Sequence, residues 1–362
     1  MRIFFTHILP ESLILKHGLS PAACNFSFNL MSGGGFDKVF STLGTNVGGN
    51  IEHEAFEDSR FELVYIHSLR TKGRFGRLLA NIFEQVLIFF KIPCRSNIWL
   101  YNISSLNVVL YLLLRLFKYS VQINIIELDF TPPANRLSIG SFLLLLLNKS
   151  HGIIKLSESE LFTNRNSVCL AGVTPKEGCQ APLILEPKME FLLSGVLQPD
   201  ISSIPWILDA FGLVPECTLH ITGKWDDMQL MEYYTNMYPN IIYHGVVPFK
   251  EYLDILHSIT FQMSLRNPDW GDNSCNFPSK VIEALLHNRI VISTIHYKQI
   301  EGIRYFETER SVDGFVSTLR NLSTMQAADL ITYANQGKET AKRYSVEVWN
   351  RWMNKIEKSN KN

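Results

Sequence analysis

Short apolar runs alternate along this chain with longer stretches of helical periodicity. In the first half the apolar runs are residues 2–9, 38–43, 61–66, 97–102, 121–129 and 150–157. Strands that are buried on both faces form nearly continuous apolar runs, and their alternation with helices is typical of a parallel sheet. The pattern therefore predicts an α/β domain in the first half of the chain.

The same alternation continues in the second half. There the runs are residues 191–199, 218–224, 240–248, 259–265 and 289–294. A chain of 362 residues is too long for one ordinary core and suits two domains of roughly 150 residues or more. We expect domains at 1–180 and 188–343, with a hinge near 175–190. Residues 344–362 are expected to form a last helix and tail.

The segment 276–286 contains the most informative chemistry. Pro278 fits the first turn of a helix, whose unpaired N–H groups and positive dipole end attract a phosphate. Lys280 adds a full charge, and Glu283 shares its helix face, placed to hold a ribose diol. Taken alone, this helix could simply expose both side chains to water. Because it follows one buried strand and precedes another, it lies where parallel sheets bind ligands.

This segment resembles the donor-site signature of retaining glycosyltransferases with the GT-B architecture. The resemblance is to the large family-four group, especially members with a Phe-Pro-Ser-Lys motif that build bacterial surface polysaccharides; here that motif is Phe277 to Lys280. Strands ending near Gly195, Gly223 and Gly245 match the family's order and spacing. The resemblance implies two Rossmann-like domains with an interdomain cleft, and a last helix that crosses back to the first domain.

The resemblance also implies the reaction. A sugar would pass from a nucleotide-sugar co-substrate, a UDP- or GDP-sugar, to a hydroxyl of a glycan or polyprenyl-linked glycan. Anomeric configuration would be retained, and no tightly bound metal or cofactor would be used. Two other readings stay open: a nucleotide-sugar epimerase of the same fold, and a non-catalytic scaffold that has kept the fold.

The chain departs from the family at two positions. Where the family has the first Glu of a Glu-x7-Glu pair, this chain has Cys275, and where an Arg commonly follows the first-strand glycine it has Val196. The negative charge of the donor phosphates must then be neutralised by other groups at the helix start. The donor-site candidates are Gly195, Arg266, Asn273, Ser279, Lys280 and Glu283. Arg266 and Lys280 are also catalytic candidates, since they would stabilise the leaving nucleotide diphosphate.

Candidate polar groups in the first domain follow its predicted strands. Asp129 is the first choice for a residue that approaches the sugar, and His67 is the second. A lone His or Asp after a strand more often caps a turn or a helix. In similar transferases the loop after the first strand faces the cleft, so Ser20 and Asn25 are the acceptor-side candidates.

Composition narrows the class of protein. The chain has 34 basic and 34 acidic residues and no nucleic-acid motif, which argues against nucleic-acid binding. Its six cysteines are scattered without Cys-x-x-Cys spacing, as in a cytosolic protein with reduced thiols. The first apolar run is too short for a signal peptide and is interpreted as a strand. We therefore expect a cytoplasmic protein.

Two apolar segments bear on membranes. Segment 78–90 is flanked by Arg70, Lys72, Arg74, Arg77 and Lys91. Segment 108–117 contains Arg115 and precedes Lys118. Neither reaches the ~20 apolar residues of a spanning helix. Packing against the sheet accounts for most of this apolarity, but basic and apolar residues together also suit peripheral contact with anionic lipid on the inner face of the cell membrane. Residues 142–147 are assigned to a buried helix.

Two motifs are given structural interpretations. The triplet 33–35 is glycine-rich, but it lacks the spacing of a phosphate-binding loop and follows a helical stretch, so a helix cap is favoured. The pair Asp226 and Asp227 is superficially like a metal motif, but it follows a turn and is expected to start a helix. Accordingly, no metal-ligating residue is assigned.

Overall fold

The computed structural model describes residues 1–8, 21–42, 62–66, 73–175, 181–195 and 204–359. Its first compact unit is Met1–Lys176 with Ser274–Phe277 and Tyr344–Asn362, and its second is Glu177–Asn273 with Pro278–Arg343. Each unit has one sheet whose strands are all parallel, with connecting helices. The predicted fold class, two Rossmann-like α/β domains, is confirmed. The boundaries 1–180, 188–343 and 344–362 stay a prediction.

The first unit contains a seven-stranded sheet. Its strands are β1 (Arg2–Thr6), β2 (Lys38–Thr42), β3 (Glu62–Ile66), β4 (Asn97–Tyr101), β5 (Gln122–Glu127), β6 (Gly152–Lys155) and β7 (Ser167–Cys169). Their order is β3-β2-β1-β4-β5-β6-β7. The helices of this unit in the first half are α1 (Pro21–Gly33), α2 (Gly73–Lys91), α3 (Val108–Phe117) and α4 (Ile139–Asn148). The strand order reverses between β1 and β4, which is the usual ligand position in such sheets.

The second unit contains a six-stranded sheet. Its strands are β8 (Glu190–Ser194), β9 (Thr218–Thr222), β10 (Ile241–Gly245), β11 (Phe261–Ser264), β12 (Ile290–Ser293) and β13 (Phe306–Glu307). Their order is β10-β9-β8-β11-β12-β13. The helices are α5 (Ile204–Gly212), α6 (Met228–Met237), α7 (Phe249–Ser258), α8 (Ser279–Leu286), α9 (Val312–Thr324), α10 (Ala327–Ile331) and α11 (Gly337–Tyr344).

The continuous apolar runs became strands because both faces of each sheet are covered. Ile3, Phe4 and Phe5 on β1 are fully buried, as are Phe191 and Leu192 on β8. Side chains that alternate in direction along a strand are both buried only when helices cover both faces. The short strands β7 and β13, of three and two residues, were not predicted, since such lengths carry almost no periodic signal.

The last helix, α12 (Val346–Ser359), belongs to the first unit, which confirms the expected return of the chain. Trp349 is fully buried there, and its indole N–H donates to the carbonyl of Gly172 at 2.8 Å. At the far end Glu357 pairs with Arg2 at 2.7 Å. A Cβ added to Gly33 would lie 2.4 Å from Val346 Cγ1. The close approach of α1 and α12 therefore needs glycine at position 33.

The two structural interpretations of motifs are also confirmed. After α1, the Gly34 N–H donates to the Leu30 carbonyl at 2.8 Å, and Gly35 has a φ of +67°. The glycine triplet therefore forms a helix cap. Asp227 caps α6 by accepting the N–H of Leu230 at 3.0 Å. Among the helices that the structure describes, none has the length and apolarity to span a bilayer.

Candidate functional site

Glycines line the carboxyl edge of the second sheet at three neighbouring strands. Gly195, Gly223 and Gly245 have φ values of +115°, +127° and +71°. The backbone links them, since Gly195 N–H donates to the Thr222 carbonyl at 3.1 Å and Gly223 N–H to the Gly245 carbonyl at 2.8 Å. A Cβ on Gly223 would lie 1.9 Å from the Gly195 oxygen. Glycine at position 223 therefore allows the backbones of the two strand ends to approach each other closely.

Helix α8 starts beside this edge. Its residues Val281, Ala284 and Leu285 are fully buried and hold it against the sheet. The residue before it, Pro278, makes no side-chain cap hydrogen bond. The positive end of the helix is therefore not neutralised by a capping carboxylate or hydroxyl from that residue. The helix begins at Ser279, an exposed residue, in agreement with the predicted start near Pro278.

Lys280 extends from the start of α8 to the end of β8. Its ammonium donates a hydrogen bond to the carbonyl oxygen of Ser194. A Cβ on Gly195 would lie 2.8 Å from Lys280 Nζ, so glycine at position 195 leaves room for the ammonium. Burial, with a further contribution from Arg266, lowers the pKa of Lys280 to about 8, and Glu283 opposes the shift. An anion bound here would relieve a partly desolvated cation.

Arg266 supplies a second cation after β11. Its guanidinium carbon lies 5.5 Å from the ring centroid of Trp270. The loop that follows is closed by Asn273, whose amide donates to the carbonyl of Asn267 at 2.7 Å. The side-chain oxygen of Asn273 is buried and accepts no hydrogen bond from the described residues. The loop thus combines a positive charge with an unused buried acceptor.

Glu283 has a partner that the sequence analysis did not identify. The hydroxyl of Tyr252, on α7, donates to Glu283 Oε2 at 2.7 Å. Burial raises the pKa of Glu283, while the Tyr252 hydrogen bond and Lys280 lower it. Burial, and then Glu283 itself, raises the pKa of Tyr252 well above its usual value. In the sequence, Tyr252 is marked only by its position four residues before buried Leu256, a spacing that places both side chains on the inward face of α7.

The second unit therefore brings together most of the predicted donor-site residues. Lys280 acts electrostatically on both Arg266 and Glu283, and it lies against the backbone of Ser194 and Gly195. Two cations at a helix start can bind a diphosphate, and a carboxylate on the same helix can accept hydrogen bonds from a diol. The assignment of each residue to a donor ligand stays a prediction.

In the first unit, Asp129 is exposed after β5 and accepts a hydrogen bond from the side-chain amide of Asn276. The two residues also pair as an antiparallel β-bridge. Asn25 is half-buried on α1. The other two candidates, Ser20 and His67, lie outside the described residues.

A buried carboxyl group precedes Asp129. Glu127, at the end of β5, accepts the N–H of Ile103 at 3.1 Å. Burial, opposed by the hydrogen bond from Ile103 and assisted by nearby Asp129, raises the pKa of Glu127 to about 8. This group is therefore largely protonated at neutral pH, and it is a second ionisable residue beside the candidate Asp129.

Cys275, which stands where the resembled family has a glutamate, lies in the core of the first unit. It is 1 % exposed and packs with an apolar cluster that includes Phe130 and Phe162. Its sulfur lies 3.3 Å from the hydroxyl of Ser159. A carboxylate buried among these apolar side chains would lose its hydration, at a cost of several kcal/mol. Packing thus gives a physical reason for cysteine at this position.

No protein-family model and no curated protein matches the chain. Solved structures match it over nearly its whole length. The N-terminal domain of Candida albicans trehalose-6-phosphate phosphatase has a TM-score of 0.70 at 13% identity, with 98% of this chain and 96% of that chain covered. Anabaena HepE, in complex with UDP and glucose, has a TM-score of 0.67 at 12% identity, with 99% and 100% covered.

A third match is trehalose-6-phosphate synthase, in a study of glycosyl transfer with retention, with a TM-score of 0.66 at 11% identity and 99% of each chain covered. Identities this low establish the fold alone. The two parallel-sheet units and the returning last helix define the GT-B fold. The resemblance to the family-four group stays an expectation.

Proposed function

We propose that this protein is a glycosyltransferase that moves a sugar from a nucleotide-sugar donor, held by the second unit, to a hydroxyl of a glycan acceptor, held by the first. The proposal rests on the arrangement of side chains at the start of α8. There Lys280 and Glu283 extend from one helix face beside the glycine-lined edge of the sheet. A nucleoside diphosphate carries the two chemical groups, phosphates and a ribose diol, that this arrangement fits.

The phosphates would be bound by positive charge. The α8 dipole, Lys280 and Arg266 supply that charge, with Ser279 at the helix start and the Gly195 backbone close by. Because Arg266 lowers the pKa of Lys280, the two cations repel each other in the free protein. A bound diphosphate would remove this repulsion.

The ribose would be held by Glu283, oriented by the Tyr252 hydroxyl. Asn273 offers a buried oxygen for a further donor contact. A UDP-sugar is the first donor to test, since HepE was solved with UDP and glucose. A GDP-sugar is the second.

Transfer would be driven by orientation and by stabilisation of the leaving diphosphate. Arg266 and Lys280 would supply that stabilisation without a tightly bound metal. Asp129 would orient the sugar or the acceptor hydroxyl, with His67 as the second candidate and with Ser20 and Asn25 on the acceptor side. Retention of configuration is proposed from the sequence resemblance and accords with the trehalose-6-phosphate synthase match.

The acceptor we propose is a glycan or polyprenyl-linked glycan of surface-polysaccharide synthesis. This assignment rests on the Phe-Pro-Ser-Lys resemblance. A lipid-linked acceptor would bring a cytoplasmic enzyme to the inner face of the cell membrane, where it would act as a peripheral protein.

The first experiment is a thermal-shift titration of the full chain with UDP, GDP, ADP and CMP. A ligand that binds only the folded state must raise stability by mass action. We expect one nucleotide to stabilise the wild type and to lose that effect in Glu283→Ala. Glu232→Ala, which removes an exposed carboxylate from α6, is the matched control and should respond like the wild type.

The second experiment uses the sugar nucleotide of whichever base binds. Sugar transfer to a glycan-lipid extract in the presence of EDTA, with the product anomer read by NMR, would support metal-independent retaining transfer. An epimer formed without acceptor would instead indicate an epimerase. If no nucleotide shifts the melting temperature of folded wild type even at saturating concentration, the donor-site proposal is wrong and a non-catalytic scaffold becomes the better description.

A further inference from the structure

Three neighbouring helices of the first unit expose large apolar side chains to solvent. On α2 these are Phe75, Leu78, Leu79, Phe83 and Phe90; on α3 and just after it Leu116, Phe117 and Tyr119; on α4 and just before it Leu137, Ile139, Phe142 and Leu145. We call this set the apolar face. Phe75 and Phe90 are each 73% exposed and Leu116 is 71% exposed. On a helix that covers a sheet, these outward positions are normally polar.

The apolar face is present in addition to the hydrophobic core of the first unit. The same helices bury a separate set of side chains against the sheet, including Ile88, Leu110 and Leu147. The prediction that residues 142–147 form a buried helix is therefore wrong in part. Leu146 and Leu147 are buried, but Phe142 and Leu145 are exposed by 43% and 47%, since a helix this apolar has more apolar positions than the sheet can cover.

Hydrogen bonds show that the three helices are adjacent. The Leu110 N–H of α3 donates to Gln85 Oε1 of α2 at 2.9 Å. The Tyr111 hydroxyl of α3 donates to the Leu146 carbonyl of α4 at 3.0 Å. At the other end Lys118 donates to the Phe89 carbonyl at 2.6 Å. The side chains of the apolar face therefore lie on neighbouring helices.

The exposed charge of this region is almost all positive, and Asp129 is the exposed acid between residues 73 and 157. Between residues 73 and 126 the chain has six cations and a single acid, Glu84, which is only 2% exposed. The cations are Arg74, Arg77, Lys91, Arg95, Arg115 and Lys118. Arg136 and Lys149 flank α4, and no acid lies between residues 130 and 157. The protein as a whole has zero net charge, whereas this region has a positive net charge because acids are nearly absent from it.

We propose that the apolar face docks on an anionic lipid bilayer, with its aromatic and aliphatic side chains in the acyl boundary and its cations among the lipid headgroups. Amphipathic helices that lie in this interface combine the same two features. Charge argues against a second copy of the chain as the occupant, because two such faces would bring their cations together. The proposal rests on the proposed function only for its purpose, delivery of the enzyme to a lipid-linked acceptor.

The test is co-sedimentation of the full chain with vesicles. One set contains phosphatidylcholine alone, and the other contains phosphatidylcholine mixed with phosphatidylglycerol. We expect the partition coefficient to be at least about tenfold higher for the anionic vesicles and to fall as salt is raised, since surface charge is screened. Equal binding to both sets, or binding to neither, would overturn the proposal.

Two pairs of variants separate the apolar and charged contributions. F75E/L116E places carboxylates in the face, and Lys91→Gln with Lys149→Gln removes two cations from its rim. Each double variant should lower partitioning by about tenfold or more. The controls make the same changes on the second unit, at exposed Leu213 and Met237 for the first pair and at exposed Lys250 and Lys338 for the second. The controls should bind vesicles like the wild type.

The remaining outcomes are also decisive. If F75E/L116E keeps wild-type vesicle binding, the face is not the lipid contact. If the wild type is a dimer by analytical ultracentrifugation and this variant is a monomer, the face is a subunit interface and the proposal is wrong. Nucleotide thermal shifts are measured on the same samples. A wild type that binds nucleotide but neither set of vesicles refutes this inference alone, and a wild type that binds anionic vesicles but no nucleotide refutes only the donor site.

Discussion

In each unit, desolvation shifts the pKa of an ionisable group beside the carboxyl end of a parallel strand, and the two groups compared are of opposite type. In the first unit it is Glu127, and in the second it is Lys280. Burial favours the neutral form of both, so the pKa of the acid rises to about 8 and that of the base falls to about 8. The same desolvation thus brings two unlike groups to the same titration range.

The surroundings of Glu127 and Lys280 differ in the charges and hydrogen-bond partners that they provide. Glu127 accepts a backbone N–H and has acidic Asp129 nearby, whose own carboxylate accepts the amide of Asn276. Lys280 has a second cation, Arg266, nearby and lies at a helix start that receives no side-chain cap from Pro278. The first site is stable with a proton, whereas the second gains most from an anion. We infer that ligand binding and pH should affect the two units in different ways.

The largest effect is expected from Glu127→Gln on the stability of the first unit. A pKa raised from 4.5 to about 8 contributes stability that is complete below pH 4.5 and is lost as pH rises to about 8. At about 1.4 kcal/mol per pH unit, the loss is on the order of 4 to 5 kcal/mol. Glutamine keeps the acceptor for Ile103 and cannot ionise. Urea unfolding should show the variant to be more stable at pH 8 and nearly unchanged at pH 4.

Glu160→Gln is the matched control, because it removes an exposed carboxylate from the same unit. Its unfolding free energy should follow that of the wild type across the pH range. A Glu127→Gln curve parallel to the wild type would mean that the carboxyl group is already ionised in the folded state, and the comparison with Lys280 would lose its basis.

The next effect is expected from Lys280→Met on nucleotide affinity. Methionine approximates the length of the side chain but removes the charge and the hydrogen-bond donor. A charge-assisted contact with a diphosphate is worth about 1.5 to 3 kcal/mol, so the Kd for UDP should rise by about 10- to 150-fold. Calorimetric titration measures it. Lys250→Met, at an exposed position on α7, should bind like the wild type, and an unchanged Kd in Lys280→Met would remove Lys280 from the site.

A smaller effect is expected from pH on the wild type. Diphosphate binding needs the protonated amine, whose pKa is about 8 in the free protein. Between pH 7 and pH 9 the protonated fraction falls from about nine-tenths to about one-tenth, so the Kd for UDP should rise by about tenfold. UDP itself is fully ionised in this range, since phosphate groups titrate near pH 6. The profile of Lys280→Met should be flat; an equal slope there would assign the pH dependence to another group.

Most of the fold could be predicted from the sequence. Strands buried on both faces, such as β1 and β8, give continuous apolar runs, and helices between them require a parallel sheet. Pro278 and the residues after it set the start of α8 for local reasons that need no tertiary structure. Lys280 and Glu283 lie in the first turns of this helix, so they were the easiest residues of the candidate site to predict.

The rest depended on contacts between distant parts of the chain. Position 275 looked like a lost functional residue, but its surroundings, such as Phe130, come from far along the sequence. Tyr252 lies 31 residues before Glu283, and only the packing of α7 beside α8 makes them partners. The apolar face was underestimated because periodicity cannot tell which side of an all-apolar helix is covered.

The smallest effect is expected from Tyr252→Phe, which tests whether the Tyr252 hydroxyl orients Glu283 in the second unit. The change removes only the hydroxyl that donates to Glu283 and that lowers its pKa. One hydrogen bond contributes roughly 1 kcal/mol. If Glu283 holds the ribose, the Kd for UDP should therefore rise by about fivefold. The Kd for inorganic pyrophosphate should not change, because pyrophosphate has no diol.

Tyr233→Phe, which removes an exposed hydroxyl from α6, controls for the substitution itself. Equal weakening of UDP and pyrophosphate by Tyr252→Phe would mean that the hydroxyl acts through Lys280 on the diphosphate. In that case Glu283 would serve as a counter-ion that keeps the lysine charged. Selective weakening of UDP alone would make Tyr252 a positioning residue for the ribose, because only a contact with the nucleoside can distinguish the two ligands.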